Sequence, residues 1–116
     1  MEHPLIIDRA VVMLIPKKPF FDWANYIFPD SPMSPEDLTE HSSYLIDDDV
    51  VPQEPQVTLE GIWKWLFEDQ LFGICTDEST WPHELSWDLF TEWFELKFSS
   101  VVYDLIDAPI KKEELY

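Results

Sequence analysis

Residues 5–15 read as an almost unbroken series of Ile, Val and Leu, interrupted by Asp8 and Arg9 and stopped by Pro16. That pattern predicts a strand buried on both faces. Pro19 then suits the first turn of a helix, and Phe20, Trp23, Ala24 and Ile27 follow at helical spacing until Phe28 meets Pro29, which predicts a helix over 19–28. Residues 29–56 are acidic and rich in proline and read as a long loop region. Within it Ser34, Pro35, Glu36 and Asp37 have the form of a brief helical turn, and 41–46 form a second, shorter strand ended by Asp47, Asp48 and Asp49. Periodicity returns at Leu59, Ile62, Trp63, Leu66, Phe67 and Leu71, one face of a helix over 58–72, with Glu60, Lys64 and Glu68 opposite. Thr58 is its expected cap and Gly73 its expected end. Ser86 caps a last helix, 86–106, in which Phe90, Trp93, Phe94, Phe98, Val101, Val102 and Leu105 recur at steps of three and four. A stripe that broad predicts the main core helix. Residues 110–116 beyond Pro109 read as a mobile tail.

The expected fold is therefore α+β, a small single domain spanning 1–116 with two strands packed against three helices. Two strands alone are marginally stable, so the helices must cover one face, and dimerisation would be a simple way to complete the sheet.

Charge changes this picture more than length does. The chain carries 24 Asp and Glu against 7 Lys and Arg, a net −17 in 116 residues, and ten of the acids lie between Phe20 and Trp63 without one Lys or Arg. A chain so charged but poor in aromatics would stay unfolded; 8 Phe, 6 Trp and 4 Tyr supply a core, so an acidic surface on a folded body is expected. Nucleic acid and anionic membranes are held by Lys and Arg, so neither is expected as a direct ligand. A basic protein partner fits the charge better. The 2 Gly, far apart, build no phosphate loop, and the single Cys75 excludes an intrachain disulfide and a zinc site of several cysteines. Residues 1–7 lack the basic start and the length of a signal peptide, and no apolar run approaches the ~18 residues of a membrane helix, so a cytoplasmic location is expected.

Arg9-Ala10, Pro16-Lys17, Pro19-Phe20, Asp22-Trp23, Tyr44-Leu45-Ile46, Trp81-Pro82, Trp93-Phe94, Phe98, Ser100-Val101-Val102 and Asp104-Leu105 together give the chain a resemblance to an uncharacterised family of small acidic bacterial proteins. That resemblance implies bacterial origin and a shared fold. It brings with it no activity, cofactor or site.

Four groupings carry candidate chemistry. Asp47, Asp48 and Asp49 offer carboxylate oxygens, but neighbours on an extended run point to opposite faces, so they read as an exposed acidic patch and not as a metal site. Cys75, Asp77 and His83 fall close together, yet the surrounding acids would raise a thiol pKa, the opposite of what a reactive cysteine needs. Abundant Trp beside carboxylates also matches a small hydrolase-like enzyme with a carboxylate pair, the alternative reading. Trp65 lies off the apolar stripe of its helix and Trp81 in a loop, so both are candidate partner-binding anchors. Arg9 is expected to pair with Asp22 or Asp104. A third reading, mimicry of nucleic acid, meets an average charge density of one per roughly 390 Å² against roughly 110 Å² for B-DNA. The leading expectation is a non-enzymatic interaction protein that meets a basic partner through Asp47, Asp48, Asp49, Trp65 and Trp81, with no cofactor and no metal.

Overall fold

Alternation, more than bulk hydrophobicity, places the centre of the fold. In the computed structural model, which describes residues 5–115, Ala10–Pro16 form strand β2. Ala10, Val12 and Leu14 are fully buried, while Val11, Met13 and Ile15 on the other face are half-covered. The expected strand over 5–15 is thus two strands. Leu5–Ile6 form β1, and between them and β2 the Arg9 guanidinium binds the Asp8 carboxylate at 2.9 Å on the surface, because two charged neighbours cannot continue a buried ladder.

β2 is flanked on both sides by antiparallel partners: β3 (Ser43–Ile46), the expected second strand in slightly shorter form, and β4 (Phe94–Ser99). Val12 faces both Tyr44 and Phe98 across the sheet, and Leu14 faces Leu96. A second sheet of two strands pairs β1 with β5 (Tyr103–Asp104).

Against the three-stranded sheet pack α1 (Lys18–Ile27), α3 (Trp63–Phe72) and α4 (Trp87–Trp93), with the single turn α2 (Pro55–Thr58) before α3. Pro19 sits in the first turn of α1 as expected, and Phe20, Phe21 and Ala24 are buried from it. Ser34 opens a 3₁₀ turn at Pro35–Asp37, its backbone N–H donating to Asp37 Oδ2 at 2.8 Å. Ser86 Oγ accepts the Leu89 N–H at 3.1 Å, and Asp88 lies in the first turn of α4. At the centre of the core the Phe67 ring meets those of Phe90, Trp93 and Phe94 at centroid separations of 5.5, 5.6 and 5.7 Å.

The architecture is α+β, but two expected helices are divided. The helix expected over 86–106 ends at Trp93 and the chain continues as β4, a bend and β5. Phe94, Leu96 and Phe98 point inward while Glu95, Lys97 and Ser99 are exposed, a period of two. Phe94 and Phe98 are four apart and satisfy both periods; Leu96 fits the strand alone. Val101 and Leu105, expected in the core, are more than half exposed. The helix expected over 58–72 is broken at Gly61, whose φ of +83° no helix accommodates. Leu66, Phe67 and Leu71 are buried from α3 and Leu59 from the turn before it, whereas Ile62 is partly exposed at the break. Thr58 is not a cap: its Oγ1 accepts the Val51 N–H at 3.0 Å and donates to Val51 O at 3.2 Å, fastening the proline-rich segment. Gly73 does end α3, in ordinary right-handed backbone geometry.

Asp22 pairs with Lys18 at 2.8 Å, not with Arg9. Residues 110–115 are exposed and have no regular structure, while Tyr116 and residues 1–4 lie outside the described residues. Among the described residues no helix is long and apolar enough to cross a membrane.

Candidate functional site

α3 is apolar on two faces, and only one of them meets the core. Leu66, Phe67 and Leu71 point inward, whereas Trp65, Glu68, Asp69 and Phe72 follow one another at i, i+3, i+4 and i+7 along the outer side. Trp65 is 55% exposed and Phe72 44%. Two half-exposed aromatic rings on the outer side of a helix whose inner side fills the core are a feature core packing does not require.

The 3₁₀ turn Glu78–Thr80 and Trp81 close this face into a groove. Their position is fixed from three sides. The Asp77 carboxylate accepts the Ser79 N–H at 3.0 Å and the Ser79 hydroxyl at 2.7 Å, which hold its pKa below the usual carboxylate range. Trp23 of α1 donates its indole N–H to Thr80 O at 2.8 Å, and Trp81 donates its own to Cys75 O at 2.9 Å. Both indoles are thereby oriented by backbone carbonyls, and the Trp81 ring is presented with its polar atom already bonded.

The resulting groove is lined by Trp65, Glu68, Asp69, Phe72, Glu78 and Trp81 and has a volume of about 230 Å³. At roughly 30 Å³ per water this is room for about seven waters or one long side chain. Tyr44, from β3, buttresses the Trp65 wall with its ring edge-on at 6.2 Å and 87°. The Tyr44 hydroxyl donates to Asp69 Oδ2 at 2.7 Å and accepts from Gln70 Nε2 at 2.8 Å. Burial, reinforced by the Asp69 carboxylate, pushes the phenol up to about 12, so at neutral pH it remains a hydrogen-bond donor. The chain of contacts Trp65, Tyr44, Asp69, Gln70 thus ties the sheet to the outer face of α3.

A larger cavity of about 340 Å³ adjoins the groove, sharing Asp69 and Phe72 and reaching Met33, Leu38 and His41. Glu40 and Asp69 are the two carboxylates that line it, and Asp69 is the one engaged by the phenol.

The structure brings together two of the five residues singled out in the sequence, Trp65 and Trp81, which both line one groove. Asp47, Asp48 and Asp49 are exposed just beyond the end of β3, and none of them lines it. Glu68, Asp69 and Glu78 of the lining, and Tyr44 that supports it, are what the sequence reading missed, whereas Phe72 was expected beside Trp65 on the helix. The spacing of Trp65, Glu68, Asp69 and Phe72 on one helical face was the available signal for Glu68 and Asp69; Tyr44 and Glu78 arrive by tertiary packing. Cys75 is half-buried with its carbonyl accepting the Trp81 indole, the Asp77 carboxylate accepts from Ser79, and His83 is exposed. Among the described residues no three His, Cys, Asp or Glu side chains converge as metal ligands. No protein-family model, curated protein or solved structure matches this chain.

Proposed function

We propose that this protein is a non-enzymatic interaction module that receives a basic segment of a partner protein, with one cationic side chain seated between Trp65 and Trp81. The observation that carries this reading is the composition of the groove: two indoles, a phenyl ring and the carboxylates of Glu68, Asp69 and Glu78 line it together. A guanidinium or ammonium group is attracted by an aromatic face, by about 0.5–2 kcal/mol depending on desolvation, and by carboxylates that complete its hydrogen bonds. Arginine suits such a site best, since its planar fork stacks on an indole while bonding a carboxylate edge. Asp47, Asp48 and Asp49, together with the ten acids between Phe20 and Trp63, would steer a basic partner from a distance without touching it.

Titration with short arginine-rich peptides, followed by tryptophan fluorescence and calorimetry at low and high salt, tests the reading. Saturable binding is expected, weakened about tenfold or more by Trp65→Ala, which removes an exposed ring without touching the core. Glu68→Gln with Glu78→Gln should lower affinity and flatten its salt dependence, and neutralising Asp47, Asp48 and Asp49 to Asn should slow association more than it speeds release. Binding that ignores both Trp65→Ala and salt would overturn the proposal.

A further inference from the structure

We propose that the cavity of about 340 Å³ beside the groove receives a large apolar side chain of the same partner segment, so that the motif recognised is an arginine with a phenylalanine or leucine two residues away. This deepens the function proposed above and rests on it, since the arginine is the one held by Trp65 and Trp81.

α3 serves both hollows. It gives the groove Trp65, Glu68, Asp69 and Phe72, and the cavity Asp69, Gln70, Phe72 and Gly73. The two sets share Asp69 and Phe72 and are offset by two to three residues, roughly 4 Å along the helix axis at about 1.5 Å per residue. Hollows that close together are within reach of two side chains of one short segment. In an extended segment neighbours point to opposite faces, and the nearest pair on one face is i and i+2, about 6.6 Å apart. That geometry sets the spacing of the motif.

The two hollows select different side chains. The cavity is lined by Leu14 and Phe20, both buried core residues, and by the half-covered Met33, Leu38 and Ile74. Of its two carboxylates Glu40 is exposed and Asp69 already accepts the Tyr44 hydroxyl. A cation brought onto that apolar surface would lose water without gaining a full set of partners, whereas an apolar group releases water from both surfaces. At about 30 Å³ per water the space holds about eleven waters, enough for one aromatic side chain. Among the described residues neither hollow is lined by Lys or Arg, so the charge of both favours a basic segment over an acidic one.

The loop that completes the cavity is held in place before any ligand arrives. The Asn25 side chain of α1 accepts the Met33 N–H at 2.8 Å and donates to Met33 O at 3.0 Å, the Leu38 N–H donates to Pro35 O at 3.2 Å, and the Leu14 N–H of β2 donates to Ser42 O at 3.1 Å. Residues 33–42 are thereby tied at both ends to regular structure, which lowers the ordering cost of binding.

Calorimetry with short glycine-serine peptides tests the motif: one carrying a single arginine, one with a phenylalanine two residues from it, one with the phenylalanine adjacent, and one with the phenylalanine alone. The i, i+2 peptide should bind at least about tenfold more tightly than the arginine peptide, the adjacent one should gain little, and phenylalanine alone should bind weakly. His41→Trp, at an exposed position lining the cavity, should bring the affinities of the i, i+2 and arginine peptides together. In the unaltered protein the methyl resonances of Met33 and Leu38 should shift with the i, i+2 peptide and not with the arginine peptide. Equal affinities for those two peptides, the same gain from an adjacent phenylalanine, tight binding of phenylalanine alone, a gain that survives His41→Trp, or unmoved Met33 and Leu38 methyls would each overturn the cavity's role while leaving the groove reading in place. Failure of every arginine peptide to bind would overturn both.

Discussion

Tyr44 shows how one side chain can join two parts of this molecule. Its ring supports Trp65 from β3, while its hydroxyl spans Asp69 and Gln70 of α3. Because the phenol is raised from 10 to about 12 on folding, its proton is linked to stability at alkaline pH. Below pH 10 the phenol is protonated in both the folded and unfolded chain and its contribution is constant. Between 10 and 12 the unfolded chain releases the proton first, so stability falls with rising pH. Tyr44→Phe should cost about 1–3 kcal/mol at neutral pH, by leaving Asp69 and Gln70 without the hydroxyl, and should show a shallower loss of urea midpoint through the alkaline range than the parent. Identical alkaline slopes would mean that the phenol is not held protonated by the fold. Phe94 makes the contrasting, apolar case. It is 1% exposed and in ring contact with Phe20, Phe67 and Phe90, so Phe94→Ala should cost about 3–5 kcal/mol in a urea melt. A loss below about 1 kcal/mol would show that the cluster closes over the vacancy.

Elements form here where two periods compete, and the outcome turns on single residues. Phe90, Trp93, Phe94 and Phe98 satisfy helical spacing, so the helix looked continuous in the sequence; Leu96 between Glu95 and Lys97 was the sign of a strand, and its weight came from β2, which lies far away in sequence and needed a partner for its second edge. Local pattern therefore located α1, β3 and the cap of α4 but misjudged the segment whose state depends on pairing. Gly61 is a similar lesson for α3. Apolar spacing ran through it from Leu59 to Leu71, yet a φ of +83° divides that segment, and a Cβ there would meet nothing within 4 Å. Gly61→Ala should thus cost about 1–2 kcal/mol through backbone strain alone. Thermal or urea melts showing no loss would mean that the turn relaxes to negative φ and the helix extends toward Thr58. The groove was legible to the same extent. Trp65 stood out because it lay off the core stripe, and Trp81 because it lay in a loop, but their convergence required the turn at Glu78–Thr80 to fold back on α3, which no local spacing records.

At the scale of the whole molecule, charge opposes the fold that the aromatic core supports. The 24 acids face 7 Lys and Arg, and among the described residues two ion pairs form, both on the surface and both between near neighbours in sequence. Exposed pairs of this kind are worth about 0–1 kcal/mol each, too little to offset repulsion among the remaining carboxylates. One further cation, Lys17, donates to Thr91 O at 2.8 Å and neutralises no acid. Unfolding moves the carboxylates apart, so the compact state carries the greater electrostatic cost, and screening should relieve it. The melting temperature should therefore rise by a few degrees between about 10 and 300 mM NaCl, as the Debye length falls from about 30 Å to under 10 Å and distant carboxylates cease to interact. Neutralising Asp47, Asp48 and Asp49 to Asn should reproduce part of the gain at low salt and reduce the further gain on adding it, since the same repulsion cannot be removed twice. A melting temperature that is flat or falls with salt would show that the acids are spaced widely enough not to repel, and the long-range attraction proposed for a basic partner would lose its source along with the repulsion.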